Sequence, residues 1–288
     1  MAELIVDTHL HFWDVDRFTY FWLTPEAGIL YRNYLPSHVK PEMNRAGVHW
    51  GVFVQASHLL EETYWALELA DQHPWIAGVV GWVDLADPWV GDTLDALMRF
   101  SRFKGVRHLI HEELDDRWLL RSAVQEGLKA LAERGLTYDI VALPRHLPYL
   151  PEVIARHPTL NFVLDHMAKP PIASRDLDTW QQYLAAVAAF PNVYCKVSGL
   201  ITEAKPNARI TDELKPVIQV GIELFGFNRL MFGSDWPVCL LASSYTEVVS
   251  TTREALGDIG EEDQARFWGE NAIQCYGLTN ARKEASME

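Results

Sequence analysis

The sequence predicts a (β/α)8 barrel built as a single domain, and three observations carry that prediction. Eight short strand-like runs lie along 288 residues, most of them continuous apolar stretches, as in a parallel sheet covered on both faces. Helical patterns alternate with them throughout, which leaves no stretch for a second domain. The length also suits one α/β barrel, a fold that takes about 250 residues. A doubly wound open sheet is the competing arrangement. The barrel is assigned to residues 1–280, with a long first connection over 12–48 and a polar tail expected to fray over 281–288.

The strand runs fall at 4–7, 51–55, 76–83, 105–110, 137–141, 161–165, 193–197 and 229–233. Between the third and fourth, Asp87 is placed as an N-cap with Pro88 at the first helical position, opening a helix that reaches about Arg102. Ser122 and Gln125 form a capping-box pair, 123–134 is apolar at helical spacing, and Gly135 stops it. Pro148, Asp178 and Ser243 open further helices. The connection over 12–48 is rich in aromatics, among them Trp13, Tyr20, Trp22 and Tyr34, and is expected to fold across one end of the barrel. It serves there as plain packing or as a lid.

Composition narrows the partners. Hydrophobic residues make up 49% and charged residues 22%, close to globular averages, so a large core is available. A formal charge of -14 argues against nucleic acid and anionic membrane, either of which favours basic patches, but not against a small anionic substrate. Cys195, Cys239 and Cys275 are scattered and lack CxxC spacing, which suits a reducing compartment. No signal-peptide pattern opens the chain, and no stretch approaches the roughly 20 apolar residues of a membrane span. The expectation is a cytoplasmic protein with a small-molecule substrate; its oligomeric state stays open, a homodimer included.

In a barrel of this type chemistry sits at the C-terminal ends of the strands. Those ends are polar all round: His9 and His11, then Gln55, Trp82 and Asp84, Arg107 and His111, Asp139, His166 with Lys169, Lys196 with Ser198, and Asp235. Residues i and i+2 of a strand share a face, so His9 and His11 can aim at one point from positions about 6.6 Å apart along the chain. With His166 and Asp235 they can hold a divalent metal; without one, the same groups can activate water.

Each residue also has a plainer reading. Asp235 can cap the turn before Pro237, and Arg107 and Lys196 can pair with barrel acids. Asp7 is expected to brace backbone, and His58, His73, His146 and His157 are placed on the surface. The His-x-His pair resists such a reading, because two neighbouring buried imidazoles are costly without a ligand or acceptor.

Val6-Asp7-Thr8-His9-Leu10-His11-Phe12-Trp13, Gly105-Val106-Arg107-His108, Leu164-Asp165-His166-Met167-Ala168-Lys169-Pro170-Pro171 and Met231-Phe232-Gly233-Ser234-Asp235-Trp236-Pro237 together resemble the amidohydrolase superfamily. More narrowly, they resemble its branch of metal-dependent hydrolases that contains sugar-lactone hydrolases and 2-pyrone-4,6-dicarboxylate lactonase. The match covers residues 4–278 in order. It implies a barrel that hydrolyses a cyclic ester. Asp235 would be the general base, with His9, His11 and His166 polarising the carbonyl, or His9, His11 and Asp235 holding one zinc ion. Arg107 would orient substrate, and the polar strand-end residues His111, Gln55 and Lys196 are expected to meet it as well. Binuclear members carry a carboxylated lysine and a further histidine on middle strands. Here Lys104 lies at the wrong end of strand four, and strand five ends Tyr138-Asp139-Ile140-Val141, so one metal or none is implied. Only Arg107, Lys169 and Lys196 could serve a dicarboxylate, which favours a sugar aldonolactone over the pyrone dicarboxylate. A metal-dependent decarboxylase of the same barrel type and a non-catalytic binding barrel are the remaining alternatives.

Overall fold

Eight parallel strands follow one another around a ring in the computed structural model, which describes residues 4–205, 209–279 and 281. They are β1 (Val6–Leu10), β2 (Trp50–Val54), β3 (Ile76–Gly81), β4 (Phe103–His108), β5 (Thr137–Ile140), β6 (Asn161–Leu164), β7 (Val193–Val197) and β8 (Leu230–Phe232). Each pairs with the next in sequence. The ring closes where the backbone N–H of His11 donates to Trp236 O at 2.7 Å and the backbone N–H of Asp235 donates to His9 O at 2.9 Å. The closed barrel therefore replaces the open-sheet alternative. The tail expected from 281 lies, beyond Ala281, outside the described residues.

Helices α1 (Pro36–Arg45), α2 (Leu60–Gln72), α3 (Val90–Leu97), α4 (Ser122–Glu133), α5 (Leu150–Arg156), α6 (Asp178–Ala188), α7 (Ile210–Phe225) and α8 (Tyr245–Leu256) follow the strands in turn. Each turns an apolar face inward; on α4 these are Val124, Leu128 and Leu131, at the spacing of one helix side. Ser244 caps α8 in a reciprocal box with Glu247. Two expected caps differ. Ser122 is the first helical residue of α4 and caps nothing, because Arg121 occupies the capping position. Asp87 instead accepts from Trp89 N at 2.8 Å in a turn that delays α3 to Val90.

The chain ends in α9 (Glu261–Ala265), a π turn (Arg266–Glu270) and α10 (Asn271–Tyr276). Tyr276 and Leu278 pack with Val6, Val52, Ala77 and Val80, so this segment floors the barrel at the N-terminal ends of the strands. Lys104 belongs to that floor, donating to Gly277 O at 3.1 Å. Among the described residues, no helix is long and apolar enough to cross a membrane.

Strand β1 shows how local irregularity serves the site. Asp7 pairs with Gly51 but Leu10 with Phe53, so β1 spends one more residue than β2 over this stretch. The bulge lets Asp7 face outward while His9, two residues on, faces the barrel interior. Asp7 accepts from Ser234 N at 2.9 Å and from Tyr245 OH at 3.0 Å, the bracing role expected of it.

Candidate active site

His9 and His11 arrive at the C-terminal mouth from β1, and Asp235 from the turn that follows β8. The Nε2 atoms of the two histidines lie 3.2 Å apart. Asp235 Oδ1 lies 3.4 Å from His11 Nε2 and 3.8 Å from His9 Nε2. His11 donates from Nδ1 to Val54 O at 2.7 Å, and the carboxylate nearest His9 Nδ1 is Asp165 Oδ1 at 3.3 Å. His11 therefore carries its proton on Nδ1 and turns an Nε2 lone pair to the shared point, whereas His9 Nδ1 also meets Lys196 Nζ at 3.3 Å. The His11 lone pair, His9 Nε2 and the Asp235 carboxylate, all buried, converge on one point where a proton or a cation would be favoured. Ligands at zinc distances on a tetrahedron sit roughly 3.3 Å apart, and the three atoms fit that spacing. His9, His11 and Asp235 form one of two groups of potential metal ligands among the described residues; the other is His9, Asp165 and His166.

His166 comes from a strained turn. After β6 the four residues from His166 to Lys169 all adopt positive φ, between 50° and 57°, and Asp235 itself has φ 59°. Such backbone costs roughly 1–2 kcal/mol per residue and persists where surroundings over-determine it. Trp180 Nε1 donating to Met167 O at 2.8 Å and Lys169 N donating to His166 O at 2.8 Å hold this one. The turn brings His166 Nε2 to 3.9 Å from Asp235 Oδ1, while Nδ1 meets Ser198 Oγ at 2.8 Å. Gly199 closes that side with φ 59°; a Cβ there would stand 2.6 Å from His166 Nδ1 and 2.9 Å from Asp235 Oδ2. No side chain fits.

Burial holds the pKa of His9 well below the usual imidazole range and lowers that of His11. His166 is pushed down to about 4 by burial, against the pull of Asp235 and Asp165. For Asp235, burial pushes up, but His166, His11 and His9 together prevail and keep the carboxyl below its ordinary range. At neutral pH the site is an anionic carboxylate among neutral imidazoles.

Arg107 meets His9 at Nε2 and Lys196 meets it at Nδ1, both cations wholly or nearly buried and already paired. Arg107 Nη1 is 3.1 Å from Asp165 Oδ2 and 3.2 Å from His9 Nε2, and Nη2 donates to Gln55 O. Lys196 Nζ meets Asp139 Oδ2 at 2.6 Å and Asp165 Oδ1 at 3.0 Å. Gln55 donates from Nε2 to Arg107 O at 3.1 Å. Gln55 Oε1, Arg107 Nε and His111 Nδ1 are buried without a hydrogen-bond partner among the described residues. His111 keeps a quarter of its side chain exposed, with Nε2 3.3 Å from Glu112.

The four residues His9, His11, His166 and Asp235 thus converge as the sequence suggests. Asp139 and Ser198 were named only as polar strand ends, and Asp165 and Gly199 are neighbours that sequence reasoning gave no role. Asp165 and Asp139 were visible as strand-end acids, and the Ser-Gly pair after β7 signals close approach. Two surface placements are corrected: His146 is 1% exposed and His157 8% exposed. Each is kept inside by a local bond, Leu143 N donating to His146 Nδ1 at 2.9 Å and His157 Nε2 meeting Gln125 Oε1 at 3.1 Å.

Beside the mouth, His58 and His108 stack with ring centroids 4.0 Å apart, and His108 stacks on Trp118 at 3.9 Å. Trp82 Nε1 donates to His108 Nδ1 at 3.1 Å, so His108 is neutral and donates from Nε2 to Glu113 at 2.8 Å. Burial pushes its pKa down to about 3. A histidine whose folded pKa is depressed stabilises fully above its unfolded value near 6.5, and that contribution is lost as pH falls toward the folded value. Relative to wild type, His108→Gln should therefore be less destabilised at pH 4.5 than at pH 7.5. Thermal unfolding at the two pH values checks this, and an unchanged gap would contradict it.

A family model described as amidohydrolase matches residues 6–278. An L-fucono-1,5-lactonase of Burkholderia multivorans is 37% identical, over 96% of this chain and 97% of its own length. A second, from Burkholderia ambifaria, is 34% identical over 94% of each chain. A solved structure of an amidohydrolase from Burkholderia multivorans with bound zinc superposes with a TM-score of 0.90 at 36% identity, covering 96% of this chain and 99% of the other.

Proposed function

Because the chain belongs to the amidohydrolase family, we propose that it opens an aldonolactone, a neutral cyclic ester of a sugar acid. The observation that carries this reading is the meeting of His9 Nε2, His11 Nε2 and Asp235 Oδ1 at one buried point on the barrel mouth. The two L-fucono-1,5-lactonases support the substrate class. So does the charge. Arg107 and Lys196 are neutralised by Asp165 and Asp139, and Lys169 by Glu203 at 3.2 Å. With Asp235 added and the histidines neutral, these groups carry a net negative charge. Apart from any bound divalent ion, a pyrone dicarboxylate would find the protein's cations already engaged, whereas a neutral lactone meets no penalty.

In lactone opening, a water oxygen adds to the carbonyl carbon and the bond to the ring oxygen breaks. Asp235, ionised, takes the proton from water and returns it to the departing ring oxygen. His166 faces Asp235 and is held by Ser198, which suits it to hydrogen-bond the developing oxyanion or the water. His9, His11 and Asp235 would hold a single divalent ion, zinc by their donor set, which when bound supplies Lewis acidity. Gln55 and His111, with unpartnered atoms at the mouth, are assigned to substrate hydroxyls. Arg107 and Lys196 are assigned to positioning, since their polar atoms are largely taken. Free, buried thiols at Cys195, Cys239 and Cys275 accord with a reducing cytoplasm.

The test is a lactone panel read by a pH indicator, with and without chelator and added zinc. Acid release from aldonolactones well above the spontaneous rate is expected, with none from the pyrone dicarboxylate. Release of CO2 from an unsaturated acid, or no turnover in any condition, would overturn the reading.

A further inference from the structure

Lys196, Asp139 and Asp165 make a buried ionic group where a barrel interior is ordinarily apolar. All three side chains are fully buried. Such groups are weak sources of stability, and apolar replacements of similar volume often fold as well or better. Their presence therefore asks for another reason, and the contacts supply one. Tyr276 of α10 donates from its hydroxyl to Asp139 Oδ2 at 2.7 Å. The same Asp139 oxygen takes Lys196 Nζ at 2.6 Å. Lys196 then reaches both Asp165 Oδ1 at 3.0 Å and His9 Nδ1 at 3.3 Å. A continuous chain of polar contacts thus runs from the floor helix to the back of the imidazole whose front faces the reacting centre.

We propose that Tyr276, Asp139 and Lys196 are positioning residues that hold the Lys196 ammonium and the Asp165 carboxylate against His9 Nδ1, fixing the His9 ring in one orientation and one tautomer. Asp165 Oδ1 and Lys196 Nζ both stand 3.3 Å from Nδ1, so the placement of that ammonium decides which of them pairs with the ring. Lys196 anchored on Asp139 keeps its ammonium in one place between the Asp165 carboxylate and the ring. Tyr276 holds Asp139 in place for that task. The floor of the barrel therefore acts on the chemistry at its mouth. This inference rests on the lactone-opening reading for its kinetic consequence, but not for its structural one.

The experiment compares wild type with Tyr276→Phe and with the charge-balanced Lys196→Met/Asp139→Asn. Two readouts are taken, steady-state kinetics on an aldonolactone and the ring-nitrogen NMR signals of His9 in nitrogen-15-labelled protein. Groups that orient a site histidine from behind typically contribute about 10- to 100-fold to activity. Tyr276→Phe should lower kcat by about 10-fold with KM unmoved, and the His9 signals should shift toward a mixture of tautomers. The double variant, where it folds, should do the same more strongly. Unchanged kcat and unchanged His9 signals in Tyr276→Phe would overturn the inference, whatever the double variant does. A wild type that opens no lactone would sink the functional reading alone, since the His9 signals still decide this one.

Discussion

Asp235→Asn is expected to lower kcat for lactone opening by about 10²- to 10⁴-fold, the range a positioned acid-base group contributes. Asparagine keeps the size of the side chain and one oxygen toward His11, now 3.4 Å from Asp235 Oδ1. It cannot take a proton from water. Burial pushes the Asp235 carboxyl up, and the neighbouring His166, His11 and His9 bring it below its ordinary range. KM should move little, because the loss falls on the reacting step rather than on binding. Steady-state kinetics with thermal unfolding as a control check this. Activity within threefold of wild type, in a folded variant, would remove Asp235 from the chemistry.

The second large effect concerns stability. Lys196→Met should destabilise by about 3–5 kcal/mol, because it strips the cation from a buried acid and leaves the acid behind. Asp139 would keep only the Tyr276 hydroxyl at 2.7 Å and a distant Thr137 contact at 3.5 Å. Asp165 would keep Arg107 at 3.1 Å. For a chain of this size the change corresponds to a drop on the order of 10 °C in Tm. Adding Asp139→Asn to Lys196→Met should restore much of it, since the unpaired charge is then gone. Thermal or denaturant unfolding of the single and double variants measures both. A single variant within 1 kcal/mol of wild type would mean that water or a backbone dipole already serves Asp139.

Much of the architecture was legible because strands covered on both faces read as apolar runs. The run at 193–197 coincides with β7. The first run was shifted: 4–7 became Val6–Leu10, since polar Thr8 and His9 hide a strand whose partners are inside the barrel. Caps were less legible. Ser122 and Asp87 carry the right chemistry, but the preceding turn decides which residue stands at the helix entrance. At the site, His9, His11, His166 and Asp235 announce themselves by residue type and by position at strand ends. Arg107 and Lys196 announce only their charge; that both face acids across the barrel depends on pairings no local pattern records. Tyr276 is the extreme case, an aromatic in a C-terminal helix whose polar partner lies 137 residues away. The bulge that turns Asp7 outward was equally hidden, because it shows only in the pairing of β1 with β2.

The most direct measurement is a crystal structure with an aldonolactam, in which nitrogen replaces the ring oxygen and hydrolysis is blocked. The expected result places its carbonyl carbon within about 3.5 Å of a water held by Asp235, with the carbonyl oxygen turned to the imidazoles. An analogue seated elsewhere on the barrel, or one whose carbonyl points away from Asp235, would contradict it.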